Sequence, residues 1–526
     1  MRTIPSRLAF SGNRNFLFGF AFLVLALFAA YKAAQYVVGD DTFSLLIVAA
    51  AAVGGVALVV ILNDWRNGLY VFLGWLLFED FIRKFLGNNM VIYFGKDILV
   101  AVVYVSFLIA LRRREVQTFR PPFLLPFMLF LWFGVLQVFN PASTHILFGA
   151  LGVKLYFYYF PLVFVGYALL NSESDLRRFF QFNLLLVLVI GGLGVIQSVL
   201  GHTFLNPELP AADIRELSGL YRQAPLSHVQ SYRPTSVFVS TGRFSTYMIL
   251  GWLISFGFGG YLLLRHRGGR TLAFLALAVA TLGVVMSSSR GALLWTLGSA
   301  VIGAAAFLWG APWRQREAAR IVRLLQRTLA FAGVAVLFFV LIFPEEIGSR
   351  FAFYDETLSL DSPTSEFAYR AGDYPLKNFL LSFDYPRWPY GYGIGTASLG
   401  VQYVARIFQK KPPVYGVESG YGTLVVELGI VGFFLWILWT GSLVAAAWRV
   451  VRKLKGTYWF PLAFMLFWYL FLLLFPITYN GIQPYQDFVL NAYLWLLIGI
   501  LFRIPHLSGA VPAPLPASSA ASIQVR

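Results

Sequence analysis

The sequence predicts an all-α, polytopic helical membrane protein of about 14 transmembrane helices, with 12 as the smaller count, and three observations predict it. Of its 526 residues, 58% are hydrophobic and 12% charged, with a mean hydropathy of +0.70, outside the balance of a soluble domain. The apolar residues gather into runs about 17 to 25 residues long, the length that crosses a bilayer as a helix. Short basic clusters separate the runs, as in loops retained on the cytoplasmic side.

The runs fall near residues 16–37, 43–62, 97–111, 122–139, 146–170, 179–200, 243–264, 271–288, 291–310, 328–344, 422–446, 457–476 and 485–502. A further run near 68–86 carries Glu79, Asp80, Arg83 and Lys84, so it reads as a short or tilted span or an interfacial helix. Counting it as a span puts every basic cluster on one side: Arg2, Arg7 and Arg14; Arg112 to Arg114; Arg177 and Arg178; Arg265, Arg267 and Arg270; Arg314 to Arg327; and Arg449, Arg452, Lys453 and Lys455. Both termini are then cytoplasmic. The chain divides into N-terminal helices (1–200), a first outer loop (201–242), central helices (243–343), a large outer loop (344–421), C-terminal helices (422–503) and a Pro-, Ala- and Ser-rich tail (504–526) that reads as disordered.

Composition also excludes. The sequence has no cysteine, which rules out disulfides, thiolate metal sites and a cysteine nucleophile. The net charge of +17 is spread over loops, which fits topology better than nucleic-acid binding, so the lipid bilayer is an expected partner and nucleic acid is not. The first apolar run lacks a small-residue cleavage site, so no cleavable signal peptide is expected. No Walker A loop, zinc helix or nucleophile elbow is visible, and neither a metal nor a cofactor is predicted.

Four stretches carry candidate chemistry. Ser287-Ser288-Ser289-Arg290-Gly291 forms a hairpin between two apolar runs, at their outer ends. A cap reading has the serines satisfy backbone groups, Gly291 permit the turn and Arg290 reach for the interface; a functional reading has its guanidinium grip a phosphate or diphosphate. Tyr232-Arg233-Pro234-Thr235-Ser236, followed by Thr241-Gly242-Arg243, brings Arg233 and Arg243 to the mouth of a span, as anion contacts or interfacial anchors. Arg370, with Tyr390-Gly391-Tyr392-Gly393-Ile394-Gly395-Thr396, offers a glycine-rich backbone that cradles an anion or merely turns. Glu418, where the large loop enters a span ahead of Glu427-Leu428-Gly429-Ile430-Val431-Gly432, is a helix-capping charge or a general base partly shielded from water. Lys154, within a span, calls for a partner, a water path or the interface. His202 and His228 read as solvated.

Taken together, the Arg-Pro-Thr-Ser-Val-Phe segment, the Ser289-Arg290-Gly291 hairpin, Arg370 with its Gly-Tyr-Gly-Ile-Gly-Thr run, and the Glu418 to Gly432 block resemble the O-antigen ligase and O-antigen polymerase superfamily, in its exopolysaccharide-polymerase-like branch. The resemblance covers roughly residues 149–432. It implies a C-type glycosyltransferase architecture acting at the periplasmic face, with an undecaprenyl-diphosphate-linked glycan as donor and another as acceptor, and with chain-length regulator and export proteins as further partners. It also implies that Arg290, Arg233, Arg243 and Arg370 hold the diphosphate and that Glu418 is the catalytic base. Many ligases of that family have a His-Asn pair where this chain has Glu418-Ser419, which favours a polymerase. Metal-independent, inverting transfer is the expected chemistry, with arginines stabilising the expelled anion. The alternatives are a ligase moving glycan to a lipid or protein acceptor, and a polysaccharide or small-anion transporter. A transporter would place its polar groups near the membrane midplane in broken helices, often within internal repeats.

Overall fold

A computed structural model describes residues 54–507, except 88–89, 208–218, 266–267, 311, 313–333, 335–336, 338–339, 360, 362–366, 368, 370–372, 408 and 410–411. The chain is mostly helical, and among the described residues eight helices are long and apolar enough to cross a membrane: Ile92–Arg112, Ile146–Leu169, Glu173–Leu200, Thr241–Arg265, Arg290–Gly310, Gly420–Lys453, Phe460–Asn480 and Phe488–His506. Gly54–Asn63, Leu124–Gln137 and Arg270–Met286 are shorter apolar helices. The expected span 16–37, most of 328–344, the first half of 43–62, the basic residues Arg2 to Arg14 and Arg314 to Arg327, and the tail after Leu507 lie outside the described residues.

Two compact units divide the chain. One comprises Trp75 and the described residues before it, with Phe94–Arg112; the other comprises Leu76–Tyr93 and the described residues from Arg113 onward. In the first, the Trp65 ring meets Phe107 edge to face at 5.2 Å. Apart from residues 65–75 of the helix Trp65–Leu86, everything that follows belongs to the second.

Its interior is an aromatic core. Trp436, Trp439 and Trp495 are fully buried. Phe127 packs on Phe160 at 4.1 Å, on Trp495 at 5.1 Å and on Trp439 at 5.4 Å. Two helices approach unusually closely here, α1 (Leu162–Leu169) and α2 (Phe488–Arg503). A Cβ on Gly166 would fall 2.2 Å from the Leu496 carbonyl oxygen, and one on Gly499 would fall 2.2 Å from that of Val163. Small residues at such a crossing let backbones touch where no hydrophobic effect draws helices together.

The segment around 68–86 is helical throughout, as part of Trp65–Leu86. Its charges turn inward: Glu79, Asp80, Arg83 and Lys84 are at most 5% exposed. Lys154 sets its ammonium 4.8 Å from the centre of the Tyr93 ring, so an aromatic face is among its partners.

Both expected outer loops carry structure that periodicity did not announce. The first holds a two-stranded antiparallel hairpin, β1 (Tyr221–Gln223) and β2 (Gln230–Tyr232), in which Arg222 faces Ser231. The second holds α3 (Pro344–Leu358) and two shorter helices, Tyr374–Leu381 and Val401–Ile407.

Helix α4 (Gly420–Lys453) is broken at Gly429, whose φ of 69° and ψ of −176° lie outside helical space. The break is filled by the Gly-Tyr-Gly-Ile-Gly-Thr loop: Tyr392 N–H donates to the Val426 carbonyl at 2.8 Å and Gly393 N–H to that of Glu427 at 2.9 Å. Non-helical backbone inside such a segment is tolerated where its polar groups are satisfied by protein. The glycine-rich run therefore spends part of its backbone on this helix.

Candidate functional site

The serine hairpin joins α5 (Arg270–Met286) to α6 (Arg290–Gly310). Ser287 continues the first helix, with its N–H donating to the Gly283 carbonyl at 3.0 Å. Ser288 makes the turn, in the left-handed region at φ 47°. Gly291, expected to permit that turn, lies inside α6 instead. Ser289 caps α6: its carbonyl accepts from Leu293 N–H at 3.0 Å and its hydroxyl from Ala292 N–H at 3.4 Å. The capping role expected of the serines is thus present.

The last carbonyls of α5 have no partner within the helix, and they carry the negative end of its dipole. Four consecutive carbonyls, the last two of α5 and the two that follow it, are each met by a side chain from a distant segment. Val285 accepts from the Tyr354 hydroxyl at 3.0 Å, Met286 from Arg350 Nε at 3.2 Å, Ser287 from Arg233 Nε at 3.4 Å and Ser288 from Arg222 Nη1 at 3.4 Å. The loops supply these arginines through short rigid elements. Strand β1 carries Arg222, the residue after β2 is Arg233, and α3 carries Arg350, Phe353 and Tyr354.

Arg290 completes the cluster. As the first residue of α6 it adds a full positive charge at the positive end of a helix dipole, a poor place for a cation and a good one for an anion. Its guanidinium lies 5.6 Å from the centre of the Phe353 ring, and that of Arg222 lies 5.7 Å from the same ring. Arg233 feels both neighbours: burial foremost, then Arg222 and Arg290, push its pKa down from the usual arginine range to about 10, against an opposing effect of Tyr354. Arg350 plays a different part. It is fully buried, paired with Glu346 at 3.0 Å, and donates to the Tyr232 carbonyl at 2.9 Å, so it ties α3 to the β-hairpin.

Chemically the arrangement concentrates Arg222, Arg233 and Arg290 around one hairpin, with a helix N-terminus beside them. Three forks of fixed direction suit an anion with several oxygens. Glu356 steadies the turn between β1 and β2: its carboxylate accepts from the Leu226 and Ser227 amides at 2.7 and 3.1 Å. Those bonds, with the Ser227 side chain first, hold its carboxyl below the usual range.

The other expected site residues lie elsewhere. Arg243, expected beside Arg233 on the anion, is taken up by two carboxylates, with Nη1 on Asp80 and Nε on Asp487 at 2.6 Å. Its guanidinium also lies 4.2 Å from the centre of the Phe488 ring. Asp80 pairs in addition with Arg83 at 2.9 Å, and Asp487 caps α2 by accepting from Val489 N–H at 3.0 Å. A guanidinium committed to that ionic network binds helices together, and the sequence offered no sign that Asp80 and Asp487 meet over it. Arg370 falls outside the described residues.

Glu418 was expected to be partly shielded from water, and the structure corrects this: its side chain is exposed. Its backbone N–H donates to Asn378 Oδ1 at 3.3 Å, and the cap of α4 is the next residue, Ser419, whose hydroxyl accepts from Gly422 N–H. The sealed carboxylate is Glu427, at 0% exposure. It accepts from Ser398 Oγ at 2.7 Å, the Ala397 amide at 2.8 Å and the Tyr156 hydroxyl at 3.0 Å. Glu427 sits in the block singled out in the sequence, but only the tertiary structure shows that its partners come from Ala397 and Ser398, just after the glycine-rich run, and from Tyr156 of the helix Ile146–Phe157. His202 and His228 are exposed, as expected.

Comparison with models of known protein families, with curated proteins and with solved structures found nothing that matches this chain.

Proposed function

We propose that the chain polymerises undecaprenyl-diphosphate-linked oligosaccharide repeat units into exopolysaccharide or O-antigen at the periplasmic face of the inner membrane. The observation that carries this reading is the convergence of Arg233 and Arg290, with Arg222, on the Ser287–Ser289 hairpin. The lipid diphosphate of the donor lies against those guanidinium groups. The acceptor's sugar hydroxyl attacks the anomeric carbon, the bond from that carbon to the diphosphate oxygen breaks, and configuration inverts. The oxygen that leaves keeps the electron pair, and the fixed arginines stabilise it. Glu418 accepts the proton that the hydroxyl loses, and its exposed carboxylate is reachable by a polymer end. The transfer is proposed to be metal-independent. Purified protein supplied with a defined undecaprenyl-diphosphate oligosaccharide should yield longer lipid-linked products. Glycan polymer retained at normal protein level after Arg290→Ala or Glu418→Gln would sink the proposal. Transfer to a lipid or protein acceptor instead of a lipid-linked glycan would make the same donor site a ligase.

One observation favours a second reading, transport of polysaccharide or a small anion. Helix α4 is interrupted at Gly429, and the helix beginning at Phe460 passes into a π turn at Leu473–Ile477 that contains Pro476. Interrupted helices bind substrates in many transporters. The break at Gly429, however, is occupied by the protein's own loop. Labelled glycan crossing vesicles without elongation would establish transport.

A further inference from the structure

The turn that delivers Arg233 to the hairpin is held from behind by a buried cation. Lys84 is 1% exposed, and its ammonium donates to Thr235 Oγ1 at 2.9 Å, to the Ser236 carbonyl at 2.5 Å and to the Leu205 carbonyl at 3.5 Å. On the other side Gln197, also fully buried, accepts both turn amides on one oxygen, Thr235 N–H at 2.9 Å and Ser236 N–H at 2.7 Å. The Gln197 amide is itself oriented, because its Nε2 donates to the Phe204 carbonyl at 2.7 Å. Between these clamps Ser236 is held at φ 53°, a left-handed conformation that a non-glycine residue keeps only where its surroundings over-determine it. Its hydroxyl adds a bond to the Ile190 carbonyl at 2.6 Å.

The three acceptors of the ammonium are neutral and the Asp80 carboxylate is an opposite charge nearby; burying a cation in this way is costly, and an apolar side chain would fill the same space without that cost. What the lysine supplies is direction. Pro234, with its fixed φ, is the one residue between the clamped turn and Arg233, so the set of the turn passes straight to the arginine. The Arg233 backbone N–H then donates to the Leu220 carbonyl at 2.7 Å, and Nε reaches Ser287. We propose that Lys84 is a positioning residue for the arginine cluster: by fixing the Thr235–Ser236 turn, it sets the line along which Arg233 presents its guanidinium to a bound diphosphate. This rests on reading the cluster as an anion site.

The test is calorimetric titration of inorganic pyrophosphate into the full-length protein in detergent. Lys84→Met is expected to weaken binding about tenfold, and Lys84→Arg, which keeps the charge, to recover part of that loss. Because Lys84 acts through Arg233, Lys84→Met is expected to add nothing in an Arg233→Ala background. Thr235→Val removes one acceptor of the lysine at nearly constant volume. It is expected to weaken binding about threefold, and it carries the test if Lys84→Met does not fold. Unchanged affinity in Lys84→Met or Thr235→Val, beside a clear loss in Arg233→Ala, overturns the role of Lys84 and leaves the site standing. An equal loss from Lys84→Met with and without Arg233 also overturns it, as an effect on the fold. Absence of pyrophosphate binding by the parent protein, or binding indifferent to Arg233→Ala and Arg290→Ala, overturns the site and this inference together.

Discussion

Arg233 Nε donates to the carbonyl of Ser287 at 3.4 Å, across 54 positions of sequence. This bond turns a loop arginine toward the hairpin that carries Arg290. It also explains how like charges gather there: the carbonyl end of α5 draws the guanidinium groups in, and the start of α6 and their mutual repulsion make an anion welcome between them.

Charge removal at the cluster is expected to reduce anion affinity while sparing the fold. Arg290→Ala and Arg222→Ala each remove a donor set of the kind worth about 1.5–3 kcal/mol when it meets a charged partner, or roughly 10- to 100-fold in Kd. Pyrophosphate titration measures this, and thermal unfolding of the same samples checks that the midpoint is kept. Phe353→Leu, which takes the shared ring from Arg222 and Arg290, is expected to act in the same direction by about threefold.

The lowered pKa of Arg233 gives the site a basic limit. Burial and two like charges disfavour its protonated form, so anion affinity is expected to fall as pH rises through about 10. The sign for folding is opposite: above about 10 and below the usual arginine range the unfolded chain binds the extra proton, so this group makes the fold gain stability with rising pH there. Affinity measured from about pH 8 to about pH 10.5 should show the decline, and the Arg233→Ala protein should lack that component.

Arg243 should behave unlike its neighbours. Its removal leaves Asp80 and Asp487 buried without their shared counter-charge, a change that costs about 3–5 kcal/mol in comparable buried pairs. Arg243→Ala is therefore expected to lower the unfolding midpoint and the yield of folded protein, where Arg290→Ala does neither. Normal stability with selectively lost anion binding would return Arg243 to the site.

The two glutamates separate in the same way. Glu427→Ala strands the Tyr156 and Ser398 hydroxyls and the Ala397 amide in the interior, at about 1–3 kcal/mol for each group left unsatisfied, and should destabilise the fold. Exposed Glu418 should tolerate Gln within about 0.5 kcal/mol. Loss of product formation without loss of stability in Glu418→Gln is the outcome expected of a proton acceptor.

Acid should loosen the hairpin through Glu356. Its folded pKa lies below the usual carboxyl value, so the contribution is complete above the unfolded pKa and is lost as pH falls through the folded one. Hydrogen exchange at the Leu226 and Ser227 amides should quicken over that range, and Glu356→Gln should remove the pH dependence.

What the sequence by itself determined is the part written in local composition. Runs of apolar residues gave the helices and their membrane character, because backbone in a bilayer must satisfy its own hydrogen bonds whatever its neighbours are. The Ser287–Ser289 hairpin and Arg290 were legible because a charge between two apolar runs stands out at any window length. Tertiary structure alone decided which arginines share a site. Arg233 and Arg243 lie ten residues apart in similar settings, yet one turns to the α5 carbonyls and the other to Asp80 and Asp487. Arg222, one of several loop arginines that the sequence does not rank, joins the cluster because a two-stranded hairpin too short to show a periodic pattern carries it there. Glu418 lies exposed and Glu427 sealed for the same reason. Burial and charge pairing depend on which distant segment fills the space beside a residue, and loop 392–393 filling the break at Gly429 is a contact that no local spacing encodes.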